Sequence, residues 1–211
     1  MNLKTEAQPM DVSLGCAMRD YMEARIHEAQ STITAIHADV ALRAALERAA
    51  RACIASLRSG GKLLFAGNGG SAADAQHMAG ELVSRFAFDR PGLAAIALTT
   101  DTSIMTAVGN DYGYEHLFAR QVQALGNAGD VFVAYSTSGQ SPNIVRALEE
   151  ARAQRLICIG FTGNRRGPMN TLCDHCLEVP SSDTPRIQEG HLLLGHLLCG
   201  IVEQAIFGSG K

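Results

Sequence analysis

The chain has 211 residues, 46% hydrophobic and 18% charged, which suits one soluble domain with a substantial core. A formal net charge of −3 without long charged runs excludes electrostatic binding to nucleic acid or a membrane surface. An aromatic content of 5%, with no tryptophan, argues against stacking platforms for bases.

The N-terminus lacks the continuous apolar region of a signal peptide. Residues 1–12 read as a flexible N-terminal arm and 13–208 as a single domain. Six scattered cysteines (Cys16, Cys53, Cys158, Cys173, Cys176, Cys199) read as free thiols in a reducing cytoplasm. Leu14–His37 and Ala41–Ser59 predict two helices. In the second, Leu42, Leu46, Ala49, Cys53, Ile54 and Leu57 form one apolar stripe, and Gly60-Gly61 ends it. Two helices ahead of the first strand have no partner in a bare α/β unit. They are expected to pack on the sheet or on another subunit.

The apolar run Leu63–Ala66 predicts a buried parallel strand. It enters Gly67-Asn68-Gly69-Gly70-Ser71, whose glycines allow positive φ and close backbone approach to a ligand. Ser71 is expected to cap the next helix, with Asp74 favouring its N-terminal end. On that helix His77 and Glu81 stand four apart, about 40° around the axis, on one face.

Pro91-Gly92 marks a turn before a second strand, Leu93–Leu98. A short helix to about Val108, a polar loop Gly109-Asn110-Asp111-Tyr112-Gly113 and a helix Tyr114–Leu125 follow. Asp130–Tyr135 is the third strand, Ser136-Thr137-Ser138-Gly139-Gln140-Ser141 its loop, and Pro142 sits just inside the next helix. Leu156–Phe161 and Cys176–Val179 complete five strands. Thr184–Phe207 is a long helix, apolar on nearly every side and expected to be buried, in part between subunits. Its most apolar part, His191–Phe207, carries His196 and Glu203 and is short for a membrane span. The alternation predicts an α/β fold: a three-layer, doubly wound, flavodoxin-like sheet of five parallel strands that binds ligand beyond their carboxyl ends.

Gly67-x-Gly69-x-x-Ala72 fits a relaxed dinucleotide fingerprint, but Asp89 precedes the second strand and Asp101 follows it, so the acidic partner is missing. Ser136, Thr137, Ser138 and Ser141 supply more hydroxyls than capping needs and, with backbone N–H groups, make a phosphate nest. Gln188, His191 and His196 are polar groups inside an apolar helix, which is costly unless they are paired. With His77 and Glu81 they suggest a shared cavity, in which His77, Glu81, Gln188 and His196 suit a divalent metal such as zinc. Cys173-Asp174-His175-Cys176 lacks a companion pair to close a tetrahedral site and reads as packing.

The segments AGNGGSAADAQHMAGELVSRF, ALTTDTSIMTAVGNDYGYEHLF, YSTSGQSPNI and DTPRIQEGHLLLGH closely resemble the bacterial phosphoheptose isomerases of the sugar isomerase (SIS) fold. The resemblance spans about residues 15–208. It implies conversion of D-sedoheptulose 7-phosphate to D-glycero-D-manno-heptose 7-phosphate, the first step of ADP- or GDP-heptose biosynthesis for lipopolysaccharide or capsule. It also implies a cytoplasmic homotetramer with zinc-dependent sites between subunits. Carried over, Asn68, Gly69, Gly70, Asn110 and Asp111 contact substrate, and Ser136, Thr137, Ser138 and Ser141 hold its phosphate. Gln188 touches substrate and metal, His77, Glu81 and His196 complete the zinc site, and Arg85 is a further substrate position. Pro185 stands where some members have an acidic residue. Enediol chemistry needs a base over carbon and an acid near oxygen, roles that fall to Glu81 and His196. Two other readings share the fold: a non-catalytic regulator that binds the replication initiator protein, and an isomerase or sensor of another sugar phosphate. Glu81 with His196 favours the enzyme.

Overall fold

Lys62 is followed by four side chains with no polar atom, and in the computed structural model, which describes residues 12–208, these form a fully buried β1 (Leu63–Ala66). Strand β1 lies between β2 (Ala95–Ala97) and β3 (Val131–Tyr135), and the sheet continues through β4 (Ile157–Thr162) to β5 (His175–Glu178). The order is β2-β1-β3-β4-β5 and every pairing is parallel, with Phe65 opposite both Ala97 and Val133. The helices are α1 (Val12–Ala38), α2 (Val40–Arg58), α3 (Gly70–Val83), α4 (Thr102–Asp111), α5 (Leu117–Leu125), α6 (Pro142–Ala153), α7 (Met169–Leu172) and α8 (Thr184–Phe207).

Alternate strand residues face opposite layers. Leu63, Phe65, Val133, Tyr135 and Phe161 pack towards α2, α3 and α8, while Leu64, Phe132, Ala134 and Cys158 pack towards α5 and α6. With both faces covered, the strands carry uninterrupted apolar runs. Helix α2 buries Leu42, Leu46, Ala49 and Cys53 in the first of these cores, and Asp39 caps it by accepting from the Leu42 N–H (2.9 Å). Helix α1 contributes Ile36 near its end, whereas Leu14, Met18, Tyr21, Met22 and Ile26 stay exposed.

Several expectations change in the folded chain. Strand β2 is shorter than Leu93–Leu98, since an edge strand pairs on one side only. Helix α4 runs through Asp111, so Gly109, Asn110 and Asp111 are helical rather than a loop, and Gly113, at φ +91°, breaks the chain after it. The short α7 has too few residues to leave a periodic signal. Helix α3 starts two residues early: Gly69, at φ +57°, is its N-cap, and Ser71 is a buried residue of its first turn rather than its cap. The arm expected over 1–12 lies outside the described residues except for Val12, which opens α1. All six cysteines are free. Among the described residues α8 is the one helix long and apolar enough to cross a membrane, yet Ile187, Leu194, Leu198 and Val202 are core residues of the domain.

Helices α3 and α8 run side by side and parallel: Gly70 meets Gln188, Met78 meets Gly195 and Phe86 meets Gly200. The approach is close, for a Cβ on Gly195 would fall 2.6 Å from Met78 Sδ. A buried ion pair locks the far end of this pair of helices. Glu203 of α8, 1% exposed, accepts from the N–H groups of Phe86 (2.8 Å) and Ala87 (2.7 Å) and from Arg90 Nε (2.9 Å). Arg90 also donates to the carbonyls of Glu81 (2.9 Å) and Leu82 (2.6 Å) at the end of α3, the second of which accepts from the Leu93 N–H as well (3.0 Å). Burial opposes the charge on Glu203, but these hydrogen bonds outweigh it and hold the carboxyl below its ordinary 4.5.

A depressed carboxylate pKa contributes stability above its unfolded value and loses it as pH falls through the folded value. Glu203→Ala is expected to cost about 3–5 kcal/mol at neutral pH, because it leaves a buried guanidinium uncompensated. Urea unfolding of wild type and variant should show that gap closing below pH 4.5. A gap independent of pH would contradict the assignment.

Candidate active site

The sheet order reverses between β1 and β3, so the loops that follow these strands diverge and leave a crevice at their carboxyl ends. The first loop is pinned by a reciprocal amide pair: Asn68 Nδ2 donates to Asn143 Oδ1 (2.9 Å), and Asn143 Nδ2 donates to Asn68 Oδ1 (2.8 Å). Tyr114 Oη donates to the same Asn68 oxygen (3.1 Å). Beyond Gly69 the first N–H groups of α3 have no intrahelical acceptor and face the crevice.

In the second loop the Ser141 hydroxyl does not cap its own helix, although Ser141 is the N-cap of α6. It lies 2.9 Å from the Ser136 hydroxyl, which is 3.4 Å from that of Ser138. Gly139, at φ +66°, turns the loop back so that the Gln140 N–H reaches Ser138 Oγ (3.2 Å). Hydroxyls that bond each other instead of the helix can be offered to a ligand.

These loops enclose a cavity of about 320 Å³ that brings together Asn68, Gly69, Gly70, Ser136, Thr137 and Ser141 with Gln188 of α8. Ser138 is exposed and joins this group through Ser136. The Gln188 amide lies against Gly70, where a Cβ would sit 2.6 Å from its Nε2.

Two turns further along the same helices is a second cluster. His77 Nε2 is 3.0 Å from Glu81 Oε1 and 3.4 Å from His196 Nε2, and the two imidazoles meet edge to face. Among the described residues these three are the one group of His, Cys, Asp and Glu side chains placed to share a metal, with donor atoms within 4.8 Å of one another. Phe86, Leu193, Leu197 and Ile201 form an apolar groove beside His196. Gln188, grouped with these residues from the sequence, stands about 12 Å up the axis from His196 by helical rise.

Asn110 and Asp111 do not line the cavity: they bond each other (2.8 Å) on the exposed end of α4. Arg85, expected one turn beyond Glu81 on the helix, lies past the C-cap Ser84 and is exposed. Sequence reasoning passed over Asn143, Tyr114 and Thr184, which pin or line the crevice. Proline at the start of α6 was a signal for Asn143, since it fixes the turn that aims the next residue at the first loop.

A five-stranded, singly reversing sheet with two hydroxyl- and glycine-rich loops at its switch point defines a doubly wound α/β domain with a ligand crevice, and the family model for the SIS domain matches residues 26–163. The phosphoheptose isomerase of Burkholderia pseudomallei (strain 1710b) is 67% identical over 188 residues, which is 89% of this chain and 95% of that one. That of Aneurinibacillus thermoaerophilus is 56% identical over 190 residues, 90% of this chain and 96% of the relative. Among solved structures, the phosphoheptose isomerase from Neisseria gonorrhoeae superposes with a TM-score of 0.83 at 40% identity, covering 89% of this chain and 99% of that one. The chain belongs to the phosphoheptose isomerase family of SIS-domain proteins.

Two glycines of the first loop should respond differently to alanine. A Cβ on Gly67 would lie 2.3 Å from the Ser71 carbonyl oxygen, which is backbone, so Gly67→Ala should lose about 1–3 kcal/mol of stability. At Gly70 the obstacle is the movable Gln188 amide. Gly70→Ala should keep the melting temperature while weakening sugar-phosphate binding, as thermal melts and ligand titrations would record.

Proposed function

We propose that this chain interconverts D-sedoheptulose 7-phosphate and D-glycero-D-manno-heptose 7-phosphate, moving a proton between C1 and C2 through an enediol. The observation that carries this reading is one pair of helices with a phosphate-type cavity at its N-terminal end and a His77/Glu81/His196 cluster two turns below. An extended sugar phosphate has two such ends: an anion and a pair of reacting carbons. The relatives' name supports the same substrate class.

In this reading Ser136, Thr137, Ser138, Ser141 and the N–H groups of α3 take the phosphate. Their binding energy, remote from the chemistry, positions C1 and C2. Asn68, Gly69, Gly70 and Gln188 orient the sugar chain. Glu81 removes the proton from carbon, and His196 exchanges protons with the sugar oxygens. His77 Nε2 lies 3.0 Å from Glu81 Oε1, so the two side chains converge on one point.

The donor set fits zinc. Two imidazole nitrogens on a tetrahedral zinc at about 2.0–2.1 Å would stand about 3.4 Å apart, and those of His77 and His196 are 3.4 Å apart. His77, Glu81 and His196 would hold the ion; Gln188, the fourth ligand that the family resemblance implies, rests against Gly70 and would have to extend down the helix to reach it. When bound, zinc would polarise the substrate oxygens and hold the open-chain sugar.

We further propose a cytoplasmic homotetramer with its sites between subunits, feeding activated-heptose biosynthesis for lipopolysaccharide or capsule. The exposed apolar side chains of α1 and the groove at Phe86, Leu197 and Ile201 support a partner surface, and free thiols suit a reducing compartment. In such an assembly exposed Arg85, Asn110 and Asp111 have a route to substrate held by a neighbouring subunit.

Proton NMR of the protein with sedoheptulose 7-phosphate in D₂O tests the reading. New aldose anomeric signals are expected, lost in Glu81→Gln while that variant still folds, assembles and binds phosphate. Near wild-type kcat in Glu81→Gln would remove Glu81 as the base. Chelation should abolish the signals and added zinc restore them. No product under either metal condition, from folded protein, would redirect the assignment to another sugar phosphate or to a regulator.

A further inference from the structure

Between the cavity, which Tyr135 helps to line, and the His77/Glu81/His196 cluster lies a third set of polar groups. Tyr135 of β3 and His191 of α8 are both 0% exposed. The Tyr135 hydroxyl and Asp74 Oδ2 of α3 are buried without a hydrogen-bond partner, and so is at least one His191 ring nitrogen, Thr162 offering its backbone to the imidazole.

These atoms belong to one place. The Tyr135 and His191 ring centroids are 5.8 Å apart, and Phe161 closes the far side of the imidazole at 5.8 Å, edge on. Gly70 meets Gln188 and Met78 meets Gly195 across the helix pair, so Asp74, one turn below Gly70, stands level with His191. Asp74 is also among the groups whose charge bears on the Tyr135 hydroxyl.

Their protonation leaves them complementary. Burial pushes the Tyr135 hydroxyl well above its ordinary range, so it remains a neutral donor. Burial likewise lowers His191 to about 4, outweighing a backbone hydrogen bond with Thr162, so its imidazole is neutral and keeps one nitrogen for a further partner. Three unpartnered groups in one interior site are costly, and proteins answer this with an ordered water making about three hydrogen bonds.

We infer that Asp74, Tyr135 and His191 enclose a bound water that bridges α3, β3 and α8. It ties the helices together at the level between the Gly70–Gln188 contact and the His77–His196 pair, and so helps set the register on which both depend.

A crystal structure of the whole chain that resolves ordered solvent tests this. Density is expected at hydrogen-bond distance, about 2.7–3.2 Å, from Tyr135 Oη and a His191 nitrogen, and absent in Tyr135→Phe. At fixed protein concentration Tyr135→Phe and His191→Phe should each lower Tm by about 2–4 °C. The double variant should fall no further than the worse single one, because both break one bridge. Tyr135→Phe removes a single oxygen and keeps the ring, so it serves even where His191→Phe does not fold. A dry interior in wild type, direct side-chain hydrogen bonds in place of water, or additive shifts in the double variant would overturn the inference.

Discussion

The close, parallel packing of α3 on α8 is the constraint from which the functional geometry follows. Small residues permit it: Gly70, Gly195 and Gly200 each lack the Cβ that would collide with Gln188, Met78 or Phe86. The buried Glu203–Arg90 pair then fixes where the two helices stop sliding, because Arg90 ties the last carbonyls of α3 to a carboxylate of α8. One of those carbonyls belongs to Glu81, so the ion pair and the His77/Glu81/His196 cluster share a backbone anchor. A buried charge pair is a weak source of net stability, but it is a strong specifier of one arrangement over others.

The sheet supplies the other half. Because β1 and β3 are neighbours and their helices leave on opposite faces, the loops after them must part, and the crevice requires no special strain to open. Backbone freedom is used at two positions, Gly69 and Gly139, where positive φ turns each loop so that N–H groups and hydroxyls converge. The Asn68–Asn143 amide pair holds the loops together across the crevice and satisfies groups that would otherwise compete for ligand. In the proposed function, the hydroxyl- and glycine-lined cavity at one end of the helix pair and the His and Glu donors two turns away act as a ruler for an open-chain sugar phosphate.

The surface tells of what lies outside a single chain. Phe86, Leu197 and Ile201 beside His196 leave the cluster next to an uncovered apolar face, and α1 exposes further apolar side chains of its own. The residues the family resemblance assigns to substrate but the cavity does not contain, Arg85, Asn110 and Asp111, are exposed as well. Both observations accord with the proposed site finished by a second subunit.

Much of this was legible locally. Leu63–Ala66 and Thr184–Phe207 have the bounds their composition predicts, and the two ligand loops stand out because their chemistry exceeds what turns and caps require. His77 and Glu81 on one face follow from helical geometry alone. What periodicity could not reach was pairing between distant segments: His77 and His196 are 119 residues apart, and Arg90 and Glu203 are 113 apart. Nothing in a loop arginine or in one carboxylate within an apolar helix announces that they will neutralise each other. The extension of α4 through Asn110 and Asp111, the burial of Ser71 and the exposure of Arg85 likewise depend on where neighbouring elements end. Local sequence sets backbone preference and which face is apolar, because those depend on residues within a turn or a pleat. Which polar groups meet is decided only when the helices pack, because burial and pairing energies exist only in the tertiary structure.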